Sequence, residues 1–216
     1  MKPSSSPHSG PPIYETAALP KLVVGLGNAD DAYHRSLHNL GREWLKSLGQ
    51  LMQADWHHSK RWGGTIAQMH YREAVLDWKV QLFLPDGWMN QSGIPIARSC
   101  QKMGIAPEHL LVVQDELDVP AGQVKLKFGG GDAGHNGLRS IRSCLGTGNY
   151  WRLRIGIGRP DTGAGDAVRN FVLSKPSPTM APYLEQAVAQ STQIVAQHAG
   201  ANWSDLMQHL HSKNQT

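Results

Sequence analysis

Histidine, aspartate and asparagine are the side chains of this sequence whose types and spacing suit chemistry. His38 and Asn39 stand where a helical pattern begins, and Asp115 follows the apolar run Leu110 to Gln114. The start of a helix disfavours an imidazolium, whereas a nearby carboxylate favours it. A His38–Asp115 pair would therefore hold the imidazole near neutrality, fit to act as a general base. The competing reading of His38 is a plain helix-capping residue. Asp115 also belongs to an acidic cluster with Glu116 and Asp118. That cluster is open to three readings: ligands for a hard divalent cation, solvated turn residues ahead of Pro120, or a carboxylate that orients a histidine. A metal-dependent hydrolase would enlist Asp115, Asp118 and His135. Of the eleven histidines, His8, His57, His58, His198, His209 and His211 read as surface or packing residues.

Other chemistries lack their signatures. No GxSxG elbow is present, and neither Cys100 nor Cys144 has a basic neighbour, so covalent catalysis is not signalled. The two cysteines form no CxxC or Cys/His spacing, which argues against a disulfide scaffold or structural zinc and for a reducing compartment. Gly25 to Asn28 (GLGN) resembles part of a dinucleotide fingerprint but lacks the third glycine, and Gly129 to Gly131 lacks the Lys-Ser/Thr that closes a P-loop. The latter run ends in Gly134-His135-Asn136-Gly137 between basic strands, which suggests a mobile cover over a binding groove.

The elements that must position these residues can be read from periodicity. Lys21 to Leu26 is a short apolar run that ends at Gly27-Asn28, the look of a buried strand, and Leu110 to Gln114 is another. Apolar residues from Leu37 to Leu51 recur at helical spacing with Ser36 as the expected cap. Strands are expected over Gly64 to Met69, Val80 to Leu84, Gln123 to Phe128 and Trp151 to Ile157. Helices are expected over Ile94 to Met103, about Leu138 to Leu145, Ala181 to His198 and Trp203 to Leu210. In the third and fourth of these strands Lys125, Lys127, Arg152 and Arg154 alternate with apolar residues, which places the cations on a wet face. Strands that alternate with helices imply a layered α/β domain with a mostly parallel sheet, and ligands then bind beyond the strands' carboxyl ends, near Asn28, Asp115 and His38.

Composition bounds the rest. A chain of 216 residues with a 40% hydrophobic share can bury a real core. Residues 1–20, rich in Pro and Ser, read as a flexible tail, with 21–216 as one domain. Lys and Arg number 21 against 17 Asp and Glu, and the stretch from Ala121 to Arg159 holds seven basic residues and one acid. Such a local excess suits a polyanionic partner. No run is long and apolar enough for a membrane span and no secretion signal is evident, so a soluble, cytoplasmic protein is expected.

Taken together, KLVVGLGN (Lys21 to Asn28), HNLG (His38 to Gly41), WMNQSG (Trp88 to Gly93), DELDVPAGQVKLKFGGGDAGHNGLRSI (Asp115 to Ile141) and WRLRIGIGRP (Trp151 to Pro160) resemble the bacterial-type peptidyl-tRNA hydrolase family. The resemblance covers roughly Lys21 to Leu173, and more loosely the C-terminus. It implies a three-layer α/β/α domain of the phosphorylase/hydrolase-like kind, with a mixed, mostly parallel twisted sheet. It also implies a monomer that cleaves the ester between peptide and tRNA without metal or other cofactor. On this resemblance His38 activates water and Asp115 orients it. Asn28, Asn90 and Asn136 position substrate or water, Tyr33, Trp88 and His135 complete the substrate set, and Lys125, Lys127, Arg152 and Arg154 grip tRNA phosphates. The chain departs from the usual pattern at Ala29, Leu37, Trp88 and Asp132-Ala133. A rival of another class is an RNA-binding module resembling the plant organellar splicing factors that derive from the family. The presence of His38, Asp115 and all three asparagines speaks against it.

Overall fold

The computed structural model describes residues 20–73, 76–160, 165–198 and 202–212; the tail expected over 1–20 lies outside them except for Pro20. The described residues form a seven-stranded sheet in the order β2-β3-β4-β1-β5-β7-β6. Its strands are β1 (Leu22–Gly25), β2 (His57–Ser59), β3 (Gly64–Glu73), β4 (Leu76–Pro85), β5 (Leu110–Glu116), β6 (Val124–Phe128) and β7 (Trp151–Gly156). The central strands β4, β1, β5 and β7 are mutually parallel, and β3 and β6 run against their neighbours. The helices are α1 (Leu40–Leu51), α2 (Gly93–Met103), α3 (Asn136–Leu145), α4 (Asp166–Leu173), α5 (Ala181–Gln197) and α6 (Trp203–Ser212).

Because the central strands are covered on both faces, they are continuous apolar runs whose alternate residues enter different cores. Val23, Leu111 and Val113 pack with Trp44, Leu45 and Leu48 of α1 and with apolar residues of α5 and α6. Leu22, Val24, Leu110 and Val112 pack on the opposite face with Ile96 and Cys100 of α2 and Leu138 and Ile141 of α3. That is the three-layer α/β/α arrangement. The Trp44 indole donates to Ser191 Oγ of α5 at 2.8 Å, so a buried polar pair joins two helices of one layer.

Helix α1 crosses β1 at unusually short range, and the crossing sets where His38 lies. A Cβ on Gly41 would collide with the Val113 carbonyl oxygen and stand 2.8 Å from both Leu26 N and Leu26 O. On the strand side, a Cβ on Gly25 would stand 2.9 Å from Leu45 Cβ. The Arg42 N–H donates to Leu26 O at 2.9 Å across this contact. Gly41→Ala is expected to cost about 1–3 kcal/mol, the range for overpacking a filled core. The check is a urea midpoint that falls with an unchanged slope; an unmoved midpoint would mean that the helix has slack at this crossing.

Several expected elements differ in detail. β3 and β4 extend beyond the expected Gly64 to Met69 and Val80 to Leu84, because the hairpin continues where polar residues hide the alternation. β2 and α4 were not anticipated: β2 has three residues, all polar, and α4 buries only Val172. Ser36 makes no capping hydrogen bond; His38 lies in a single 3-10 turn, Leu37–Asn39, and α1 begins after it, with Asn39 at the cap position. Among the described residues, no helix is long and apolar enough to cross a membrane.

Candidate active site

The carboxyl ends of parallel strands point the same way, and the chain leaving β1, β4 and β5 lines a crevice of about 720 Å³. β1 delivers Asn28, β4 delivers Trp88 and Asn90, and β5 delivers Asp115. Tyr33, His38, His135 and Asn136 line the same space, so the two expected catalytic residues and all six expected substrate residues meet there. Trp88 is 46% exposed at the mouth and meets the Tyr33 ring edge-on, with centroids 5.8 Å apart.

At the floor, Asp115 is 3% exposed and His38 7%. His38 Nδ1 lies 2.9 Å from Asp115 Oδ1 and 3.1 Å from Oδ2. An ionised carboxylate only accepts, so the His38 proton sits on Nδ1 and the Nε2 lone pair is left over, with no partner among the described residues. A second imidazole shares the same carboxylate: His135 Nε2 lies 3.2 Å from Asp115 Oδ1. His135 is the N-cap of α3, and its Nδ1 accepts from the Gly137 and Leu138 amides at 3.1 and 3.4 Å. Those two donors place the His135 proton on Nε2, where it is given to Asp115. The two imidazole centroids are 4.7 Å apart.

Burial opposes a charged His38, but the Asp115 charge and hydrogen bond outweigh it, so the His38 pKa is raised from its ordinary 6.5. Burial would push the Asp115 carboxyl up; the two imidazoles prevail and hold it well below the usual carboxylate range. The Cys100 thiol is pushed up to about 11 by burial, which leaves it a poor nucleophile.

The asparagines are oriented by their partners. Asn28 N–H donates to Asn39 Oδ1 at 2.8 Å and Asn39 Nδ2 donates to Asn28 O at 3.0 Å, which locks the β1 exit to the His38 turn. Asn28 Oδ1 accepts from the Met89 amide at 2.8 Å, so Asn28 Nδ2 is left as a donor with no partner among the described residues. Asn136 Oδ1 accepts from Arg139 at 3.3 Å, which again leaves the amide nitrogen to donate. Sequence reasoning set Asn39 beside His38 in a polar cluster but missed its role in tying the β1 exit to the His38 turn. It also missed Val168 and Val172 of α4, which line the crevice and are spaced four apart.

Among His, Cys, Asp and Glu of the described residues, the donor atoms that converge are those of His38, Asp115 and His135, within 4.8 Å of one another. Two of the three carry protons aimed at the third, so hydrogen bonds already satisfy the cluster. Asp118, which the metal-dependent reading enlists, is an exposed residue held by Arg159 at 2.6 Å.

The basic strands divide differently from expectation. Lys125 faces Arg154 and Lys127 faces Arg152 across the β6–β7 ladder. Lys127 is exposed and Lys125 half-buried, whereas Arg152 is 3% exposed and Arg154 is paired with Glu116 at 3.3 Å. The alternation in β7 does not mark a wet face, because β7 is an inner strand covered on both sides. Arg152 is thereby directed to backbone carbonyls of the glycine loop, and the loop read as a mobile cover is held through them: Gly131 O at 2.7 Å and Gly130 O at 2.8 Å. The charge of Asp132 is paired with Arg142 at 3.1 Å.

Comparison with known proteins gives a family and a fold. The family model described as peptidyl-tRNA hydrolase matches residues 22–216. A peptidyl-tRNA hydrolase of Neisseria gonorrhoeae is 42% identical over 193 residues, 89% of this chain and 97% of that protein. One of Nitrosomonas eutropha is 38% identical over 195 residues, 90% of this chain and 97% of the relative. The crystal structure of the peptidyl-tRNA hydrolase from Acinetobacter baumannii superposes with a TM-score of 0.80 at 31% identity, covering 88% of this chain and 94% of that one.

Proposed function

Since the chain belongs to the peptidyl-tRNA hydrolase family and so hydrolyses the ester of peptidyl-tRNA, we propose that it does so by general-base catalysis, with His38 as the base and Asp115 as its orienting partner. The observation that carries this reading is the 2.9 Å contact from His38 Nδ1 to Asp115, which leaves Nε2 to take a proton. A water held at Nε2 gives up that proton as its oxygen attacks the ester carbonyl carbon. The tetrahedral intermediate then collapses, and the ribose oxygen leaves with the proton returned from the imidazole. The products are a peptide carboxylate and tRNA. Asn28 and Asn136, both oriented as donors, suit the carbonyl oxygens of substrate or intermediate. Asn90 lies on the same wall and grips peptide backbone, which every sequence shares. The substrate is a product of translation, which supports a cytoplasmic setting.

The pH dependence tests this base. Only unprotonated His38 can accept the proton, and its pKa is raised from 6.5. The rate on N-blocked aminoacyl-tRNA should therefore climb with pH along one limb whose midpoint lies above 6.5, and fall away below it. A flat profile across that range would exclude the imidazole as base.

Lys125 and Lys127 lie on the edge strand β6, the first half-buried and the second exposed, and supply the phosphate contacts. Replacing both by Ala should raise KM, leave kcat unchanged, and flatten the salt dependence of tRNA binding by about one unit of logarithmic slope for each phosphate no longer neutralised. An unaltered slope would mean that the RNA lies elsewhere.

A further inference from the structure

Arg152 carries a buried charge for which no described carboxylate lies within ion-pair distance, and the mechanism above does not use it. Taking a guanidinium out of water is costly unless its donors are satisfied. Here carbonyl groups meet its two terminal nitrogens: Nη1 donates to Gly131 O at 2.7 Å, and Nη2 to Gly130 O at 2.8 Å and Gly148 O at 3.4 Å. The Tyr150 ring lies 4.8 Å from the guanidinium carbon. From α3, Arg142 Nη2 donates to the same Gly130 oxygen at 3.0 Å and pairs with Asp132.

The segment so held is one that would wander without support. Gly129, Gly130 and Gly134 have φ of 64°, 106° and 81°, and Ala133 has φ of 47°. Glycines at such angles lose more backbone entropy on ordering than other residues, and a non-glycine there is strained. The loop leads straight to the site, because Asp132 O accepts the His135 N–H at 2.8 Å and His135 Nε2 then reaches Asp115. Arg152, Gly130 and Gly131, Asp132, His135 and Asp115 thus form one hydrogen-bonded and covalent chain from an inner strand to the reacting carboxylate.

We propose that Arg152 is a positioning residue of the hydrolysis: its buried fork holds the Gly129–Gly134 loop so that His135 meets Asp115 and Asn136 faces the crevice, and it does not bind tRNA phosphate. The inference rests on the reading of His38 as the base and Asp115 as its orienting partner.

The test is Arg152→Lys in the full chain, which keeps the charge and removes the fork, together with Arg142→Gln, a more exposed change that loosens the same Gly130 carbonyl. On N-blocked aminoacyl-tRNA, kcat should fall about 10- to 100-fold for Arg152→Lys, the loss expected for a misplacement of about 1 Å at a reacting centre. A smaller fall is expected for Arg142→Gln. KM and the salt slope of tRNA binding should stay as in the wild type. Independently of turnover, imidazole ¹⁵N spectra should show His135 protonated at Nε2 in the wild type and a mixture of tautomers in Arg152→Lys. Raised KM and a flattened salt slope with kcat intact would overturn the proposal in favour of a phosphate ligand. Lowered thermal stability with kcat and the His135 tautomer both unchanged would overturn it in favour of packing alone. If Arg152→Lys does not fold, wild-type kcat and tautomer in Arg142→Gln overturn it. The spectra also separate this proposal from the mechanism, because they report the loop's hold on His135 even if His38 proves dispensable for turnover.

Discussion

His38→Ala should reduce kcat on N-blocked aminoacyl-tRNA by about 10²- to 10⁴-fold, the usual contribution of a positioned general base, while KM changes little. The split follows from the geometry. His38 shows only 7% of its surface and its Nδ1 is engaged by Asp115, so it offers substrate one nitrogen and little contact area. An interaction made chiefly in the transition state lowers kcat and kcat/KM together. The loss should not be complete, because the contacts proposed for Asn28 and Asn136 with the ester, and for Lys125 and Lys127 with tRNA phosphates, do not depend on the imidazole. The measurement is release of labelled peptide under single-turnover conditions, and wild-type rates in the variant would remove His38 from the mechanism.

Asp115→Asn is expected to be nearly as damaging, by about 10²- to 10⁴-fold in kcat, although it barely changes shape. Asp115 accepts from two imidazoles and donates to neither. An amide in its place puts a donor against at least one imidazole proton. The relief is for His38 to shift its proton to Nε2, which abolishes the base; loss of the correct tautomer is the known penalty of this exchange in hydrolytic triads. The residual activity carries a second signature. In the wild type, Asp115 outweighs the burial that would lower the His38 pKa. Without the carboxylate charge burial prevails, the pKa drops, and the limb of the rate profile moves to lower pH. An effect on KM alone, or an unshifted limb, would contradict the assigned role of Asp115.

How much of this could be read from one dimension depended on the range of the force involved. The strands β1 and β5 were legible because a strand buried on both faces must be a continuous apolar run, and Lys21 to Leu26, past its leading lysine, and Leu110 to Gln114 are such runs. The site residues Asn28 and Asp115 followed, because parallel strands deliver what comes after them to one edge. β6 was read correctly for the same reason in reverse: at a sheet edge alternation does report a wet face, and Lys127 is exposed.

The same rule misled at β7. Arg152 and Arg154 alternate with Trp151, Leu153 and Ile155 just as Lys125 and Lys127 alternate with apolar residues, yet Arg152 is buried. The difference lies in whether another strand pairs on the far side and a helix lies above, which no local pattern contains. The glycine loop shows the same limit, since the arginine that donates to its Gly131 and Gly130 carbonyls lies 21 and 22 positions further along the chain, a tie that no local pattern contains.

Local spacing and residue type were enough to establish the strand and helix inventory in outline and the carboxyl-edge placement of Asn28, His38 and Asp115, since each depends on hydrophobic periodicity or on the chemistry of a single side chain, whereas Asn90 and Asn136 came from the family resemblance. The fold alone decided which nitrogen of His38 and of His135 holds its proton, which end of the Asn28 and Asn136 amides is left to donate, and which of four alternating cations meets solvent. Those outcomes rest on directional hydrogen bonds and burial between residues up to 77 positions apart, and such contacts exist only after the chain has closed on itself.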